Sequence, residues 1–136
     1  MGRLVHEQLR RAIIGIAIEV LNELKPGLDE KLYERAMSIE LQRQGHRVEL
    51  QSSYPVFYQG ELSRNLVPDL IVDNLIIVDP KVVSAFTETH VAQMLGYLNI
   101  TGFSLALLIN FKHASLTWKR VVGPAAEHNT PPNLHA

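Results

Sequence analysis

There is no cysteine among the 136 residues, which excludes a disulfide framework and any thiolate metal site. No apolar run approaches the roughly 20 residues that cross a bilayer, so membrane insertion is not expected. The first residues, MGRLVHEQLRR, lack the apolar stretch of a signal peptide, and together with the absent cysteines they point to a cytoplasmic protein. Neither sign of charge dominates: 13 Lys and Arg stand against 14 Asp and Glu, a net charge of -1. Contact with a polyanion would therefore need a local basic cluster rather than a global field. What is present, 46% hydrophobic and 20% charged residues, is the composition of an ordinary globular domain long enough for one core. We read a single domain over residues 1–122. From Gly123 onward, GPAAEHNTPPNLHA has no periodicity and predicts a loosely held tail, with two histidines that fit no ligand pattern.

The informative stretch is VPDLIVDNLIIVDPKVV, from Val67 to Val83. Leu70 to Val72 and Leu75 to Val78 read as buried strands, and Asp73-Asn74 between them reads as a hairpin turn. Side chains alternate along a strand, so Asp79 and Lys81 share one face, and Asp69 shares its face with Ile71. Asp69 joins Asp79 only if the two are cross-strand partners. That requires three loop residues, Asp73 to Leu75, or a two-residue turn plus a bulge; a plain two-residue hairpin would put the aspartates on opposite faces. In the correct register two carboxylates and an ammonium meet on an apolar sheet, an expensive arrangement unless a divalent cation or an ion pair satisfies it.

The first helix is predicted over about Val5 to Leu24, where apolar residues recur at helical spacing until Pro26-Gly27; Glu19 falls off that stripe and reads as solvated. A second helix is expected from Asp29, as N-cap, to just before Gly45, with Leu32, Tyr33, Ala36, Met37 and Leu41 inward. Glu30 in its first turn is favoured by the helix dipole without any further role. Strands near Val48 to Gln51, Tyr54 to Tyr58 and Glu61 to Leu66 suggest an antiparallel meander. Thr87 to Ile100 returns to helical spacing, with Val91, Met94, Leu95 and Leu98 toward the sheet and His90, Gln93 and Tyr97 on the other side. Gln93 and Tyr97, four apart, are neighbours on one helix face. Phe103 to Phe111 has the length of a central strand, and Ser115 to Val122 reads as the last strand. Lys112, His113, Lys119 and Arg120 would make a small basic patch, although solvated charges at a sheet edge explain them as well.

Pro68-Asp69, nine residues, then Asp79-Pro80-Lys81 resembles the signature of the PD-(D/E)XK nucleases. Gly27-Leu28-Asp29-Glu30-Lys31-Leu32-Tyr33 resembles the motif that names the GxxExxY family of that superfamily, and the likeness extends over about Leu4 to Val122. The resemblance implies an α/β domain with a restriction-endonuclease-like αβββαβ core, a small mixed sheet flanked by helices, preceded by an extra helix. It implies an active site of Glu30, Asp69, Asp79 and Lys81, with Mg²⁺ (or Mn²⁺ in its place) held by Asp69, Asp79 and Glu30. Gln93 and Tyr97 resemble the Gln-x-x-x-Tyr element of the exonuclease branch and, with Tyr33, would bind substrate, DNA or RNA. Small domains of this fold often dimerise. The chain departs from the family where Glu-Leu-Lys is expected and Asp79-Pro80-Lys81 is found. Proline lacks a ladder donor, so either the strand ends there or the site is distorted. The rival to hydrolysis is a domain that has kept the fold as a nucleic-acid-binding or assembly module, with Asp79 and Lys81 a buried ion pair.

Overall fold

The structure is a computed structural model, and residues 4–124 are described. The tail expected beyond Gly123 lies, from residue 125 on, outside them. Two helices come first, α1 (Glu7–Leu24) and α2 (Glu30–Arg43). Asp29 caps α2 by accepting a hydrogen bond from the Leu32 amide at 3.0 Å, as its place before the apolar pattern predicts. The strands are β1 (Val48–Leu50), β2 (Tyr54–Tyr58), β3 (Glu61–Leu66), β4 (Leu70–Val72), β5 (Ile76–Lys81), β6 (Leu105–Asn110) and β7 (Thr117–Val122), with α3 (Glu88–Thr101) between β5 and β6.

Five strands form one mixed sheet in the order β1-β4-β5-β6-β7, in which only β5 and β6 run parallel. The expected core is thus α2, β1, β4, β5, α3 and β6, with α1 added before it and β7 after. The meander is corrected: among the described strands β2 and β3 pair only with each other, as a separate hairpin inserted between β1 and β4. Tyr54 at its base packs edge-on to Phe103, with ring centroids 6.3 Å apart.

Alternation in the strands makes two apolar layers. Leu70, Val72, Ile76, Val78, Leu105, Leu107 and Ile109 face α1 and α2, where Ile13, Ile16, Ala17, Tyr33, Met37 and Leu41 meet them. Ile71, Ile77, Ala106 and Leu108 face Met94 and Leu98 of α3. Two expected inward residues turn out instead: Leu32 is 49% and Leu95 39% exposed. Each is one residue, about 100° of helix turn, away from the i, i+4 pairs that carry the contact. Among the described residues no helix is long and apolar enough to cross a membrane.

Candidate active site

The register of β4 and β5 decides what the acidic residues can do. Leu70 pairs with Val78, Ile71 with Ile77 and Val72 with Ile76. The chain reverses through Asp73 and Asn74, both left-handed at φ 53° and 56°, and the Leu75 amide donates to the Val72 carbonyl at 3.0 Å. Leu75 is then the extra residue, so the turn is the two-residue form plus a bulge. Asp73 locks it to the start of β1, accepting from the Arg47 amide at 2.8 Å and lying 2.8 Å from His46 Nδ1. Continued by one step, this register sets Asp69 across from Asp79, both on the face that α3 covers.

Asp79 is 5% exposed and its Oδ2 lies 3.4 Å from Lys81 Nζ, while its buried Oδ1 has no hydrogen-bond donor among the described residues. Burial, then a hydrogen-bonding contact with Asp69 and the charge of Asp69, push the Asp79 carboxyl up to about 8, with Lys81 pulling the other way. The structure therefore brings Asp69, Asp79 and Lys81 together. Tyr97 joins them from α3: burial first, then the charges of Asp79 and Asp69, raise its phenol, which accepts a hydrogen bond from Gln93 Nε2 at 3.3 Å.

Glu30 reaches the same end of β5 from the opposite layer. Its Oε2 accepts from the Val82 amide at 3.2 Å, so it holds the backbone just after Lys81. It does not complete a carboxylate trio, since among the described residues no group of three or more His, Asp or Glu could hold a metal ion. Tyr33 is corrected as a substrate-binding residue. It is fully buried, its ring stacks on Phe111 at 4.7 Å, and its hydroxyl donates to the Lys25 carbonyl at 2.6 Å and accepts from the Leu28 amide. The basic patch is also corrected. Lys119 and Arg120, adjacent on β7, point to opposite faces, and His113 Nε2 lies 3.1 Å from the Ser84 carbonyl oxygen.

Pro80 causes no distortion. The Lys81 carbonyl accepts from the Phe111 amide, so residues 77, 79 and 81 aim their backbone groups at β6 and residues 76, 78 and 80 at β4. At Pro80 β4 has already ended, and the residue across from it is Pro68. No ladder bond is forfeited there.

Two supporting residues escaped the sequence reading. Asn110, beside Lys81 in the ladder, donates through Nδ2 to the Val83 carbonyl at 2.7 Å and accepts from the Val83 and Lys112 amides. Gln51 donates its amide to the Asp69 carbonyl and its side chain to buried Glu34, joining Asp69 to α2. The one available signal for Asn110 was an amide closing the apolar run LALLIN.

Residues 7–121 match the family model described as the PD-(D/E)XK nuclease superfamily. The chain belongs to the PD-(D/E)XK nuclease superfamily. Among solved structures it is similar to an alkaline exonuclease, LHK-Exo, from Laribacter hongkongensis, with a TM-score of 0.52 and 12% identity, covering 94% of this chain and 75% of that one. At that identity the likeness is one of fold. A sequence search among curated proteins finds no match. PD-(D/E)XK nucleases generally use divalent metal ions, and the donor set fits that habit. Lys81 answers one carboxylate, a second stands against it, and a buried Asp79 oxygen has no hydrogen-bond donor among the described residues.

Proposed function

We propose that this PD-(D/E)XK domain hydrolyses phosphodiester bonds of DNA or RNA with a divalent cation held by Asp69 and Asp79. The observation that carries the reading is the meeting of two carboxylates and Lys81 on one buried face. An ion pair kept for structure alone needs one acid, and a second beside it only adds repulsion. Oxygen-only donors suit Mg²⁺, with Mn²⁺ as a substitute. When bound, such an ion polarises a phosphoryl oxygen and lowers the pKa of its water.

The chain's own residues supply the rest. Lys81, beside the acids but on the accessible end of β5, stabilises charge on the phosphoryl oxygens or orients the attacking water. Tyr97 keeps its proton, since its phenol is raised, and is available as a donor toward the substrate backbone with Gln93 beside it. Glu30 and Asn110 fix the main chain at Val82 and Val83, just after Lys81, and Glu30 meets the cation at most through water. We place the chain in the GxxExxY branch on Gly27, Glu30 and Tyr33, with Tyr33 serving the fold rather than the substrate.

Calorimetry with Mg²⁺ and Mn²⁺ should show saturable binding that disappears in Asp69→Ala. Lys81→Ala should keep the heat and lose on the order of a hundredfold in Mn²⁺-dependent nicking of plasmid DNA or cleavage of RNA. No heat at millimolar metal would leave the silent binding module as the correct reading.

A further inference from the structure

Arg10 lies one turn before Ile13 and Ile14, on the stripe by which α1 enters the core, and is only 8% exposed. Its guanidinium carbon sits 5.2 Å from the centroid of the Trp118 ring. Trp118 and Arg120 pair with Ile109 and Leu107, which face α1 and α2, so both project into the same layer, about 7 Å apart along β7. Among the described residues neither Arg10 nor Arg120 has an ion-pair partner, and the Nε of each is buried with no hydrogen-bond partner. Glu7, the acid within one turn of Arg10, is taken by Arg11 at 2.8 Å.

A stacked indole satisfies the face of a guanidinium but not its edge, and the N–H groups lie along the edge. Two unanswered guanidiniums in one layer repel each other unless an anion lies within their reach. We propose that Arg10 and Arg120, with the Trp118 indole, form a second anion site that takes a backbone phosphate of the polynucleotide. The choice of polynucleotide as the source rests on the nuclease reading, whereas the phosphate site itself does not. Trp118 stands in the same cross-strand row as Pro80, two strand spacings or roughly 10 Å away, on the opposite face from the acids. A strand held there passes around the edge of the sheet at the end where Asp79 and Lys81 lie.

Trp118 is the sole tryptophan, so its fluorescence reports on this site alone. The full chain in EDTA, where no cleavage occurs, is titrated with inorganic phosphate and then with a short single-stranded oligonucleotide. We expect saturable changes with both. Arg120→Gln, on an edge strand, should weaken both by about tenfold, and Arg10→Lys, which keeps the charge but loses the planar fork, by a smaller factor. Arg11→Gln should respond like the parent. No saturable response, or equal responses in the parent and Arg120→Gln, would overturn the site. Phosphate binding that the oligonucleotide fails to compete away would overturn the polynucleotide as its ligand. Failure of the catalytic reading would appear separately, as missing calorimetric heat with an intact phosphate titration.

Discussion

Asp79 makes the metal-free protein less stable as pH rises, and the size of that effect follows from its surroundings. Its folded pKa is pushed to about 8, against the ordinary carboxyl value of 3.8, mainly by burial and by Asp69. The folded chain therefore keeps a proton that the unfolded chain has already released. The stability linked to this proton is complete below about pH 4, falls between about pH 4 and 8, and is gone above that. Within the window one proton gives a slope of about -1.4 kcal/mol per pH unit, or roughly 2.7 kcal/mol between pH 5 and 7. For a domain of this length that is on the order of 10 °C in Tm. Asp73 works in the opposite sense, since its lowered pKa makes its contribution vanish only in acid, below this window. Subtracting the variant isolates Asp79. Asp79→Asn removes the titration, so the difference in Tm between parent and variant, measured by calorimetry in EDTA, should shift steadily against the parent from pH 5 to 7. The offset from replacing a neutral carboxyl by an amide does not change with pH. If the proposed site takes the cation, millimolar Mn²⁺ should reverse the trend for the parent, since binding to the ionised pair would add about 2.7 kcal/mol at a hundredfold excess over Kd. A flat difference curve in EDTA would refute the reasoning.

Three further outcomes are expected. Pro80→Leu should leave metal affinity within a few fold, because its missing donor faces Pro68 past the end of β4; a larger change in titration calorimetry would mean that Pro80 shapes the site. Tyr33→Phe should cost about 1–3 kcal/mol in urea unfolding, since it leaves the partners of a buried hydroxyl unanswered, while cleavage per folded molecule stays unchanged. Asp29→Ala should cost about 1 kcal/mol through the lost cap of α2, and an unchanged midpoint would show that the Leu32 amide finds another acceptor.

Local signals were legible where one segment carries its own explanation. Asp29 before an apolar helix pattern caps α2 as read, and Gly102 closes α3 in the left-handed form at φ 83°. The pairing of Asp69 with Asp79 was legible as a condition on the turn, because alternation allows only certain loop lengths. What alternation does not carry is the identity of a strand's partner. Tyr54 to Leu66 reads as strands whether it extends the sheet or, as here, folds only on itself. Gln51 and Asn110 were missed for the same reason, since their meaning lies in backbone groups far away in the chain. Tyr33 misled in another way: a residue of a naming motif was read as facing substrate, whereas its ring and hydroxyl secure the entry to α2.

The reversal at Asp73-Asn74 has an evolutionary consequence. Surface loops usually gain and lose residues freely, because closing a longer loop costs little. This one is not neutral to length. Deleting Leu75, or inserting one residue beside it, would change the parity of β5 against β4 and carry Asp79 and Lys81 into the layer of α1 and α2, leaving Asp69 behind. Such a descendant could keep its composition and both short sequence motifs while losing the geometry that joins them. The hairpin of β2 and β3, which pairs with no other described strand, is where length should drift among relatives, and the distance from Asp69 to Asp79 is where it should stand still.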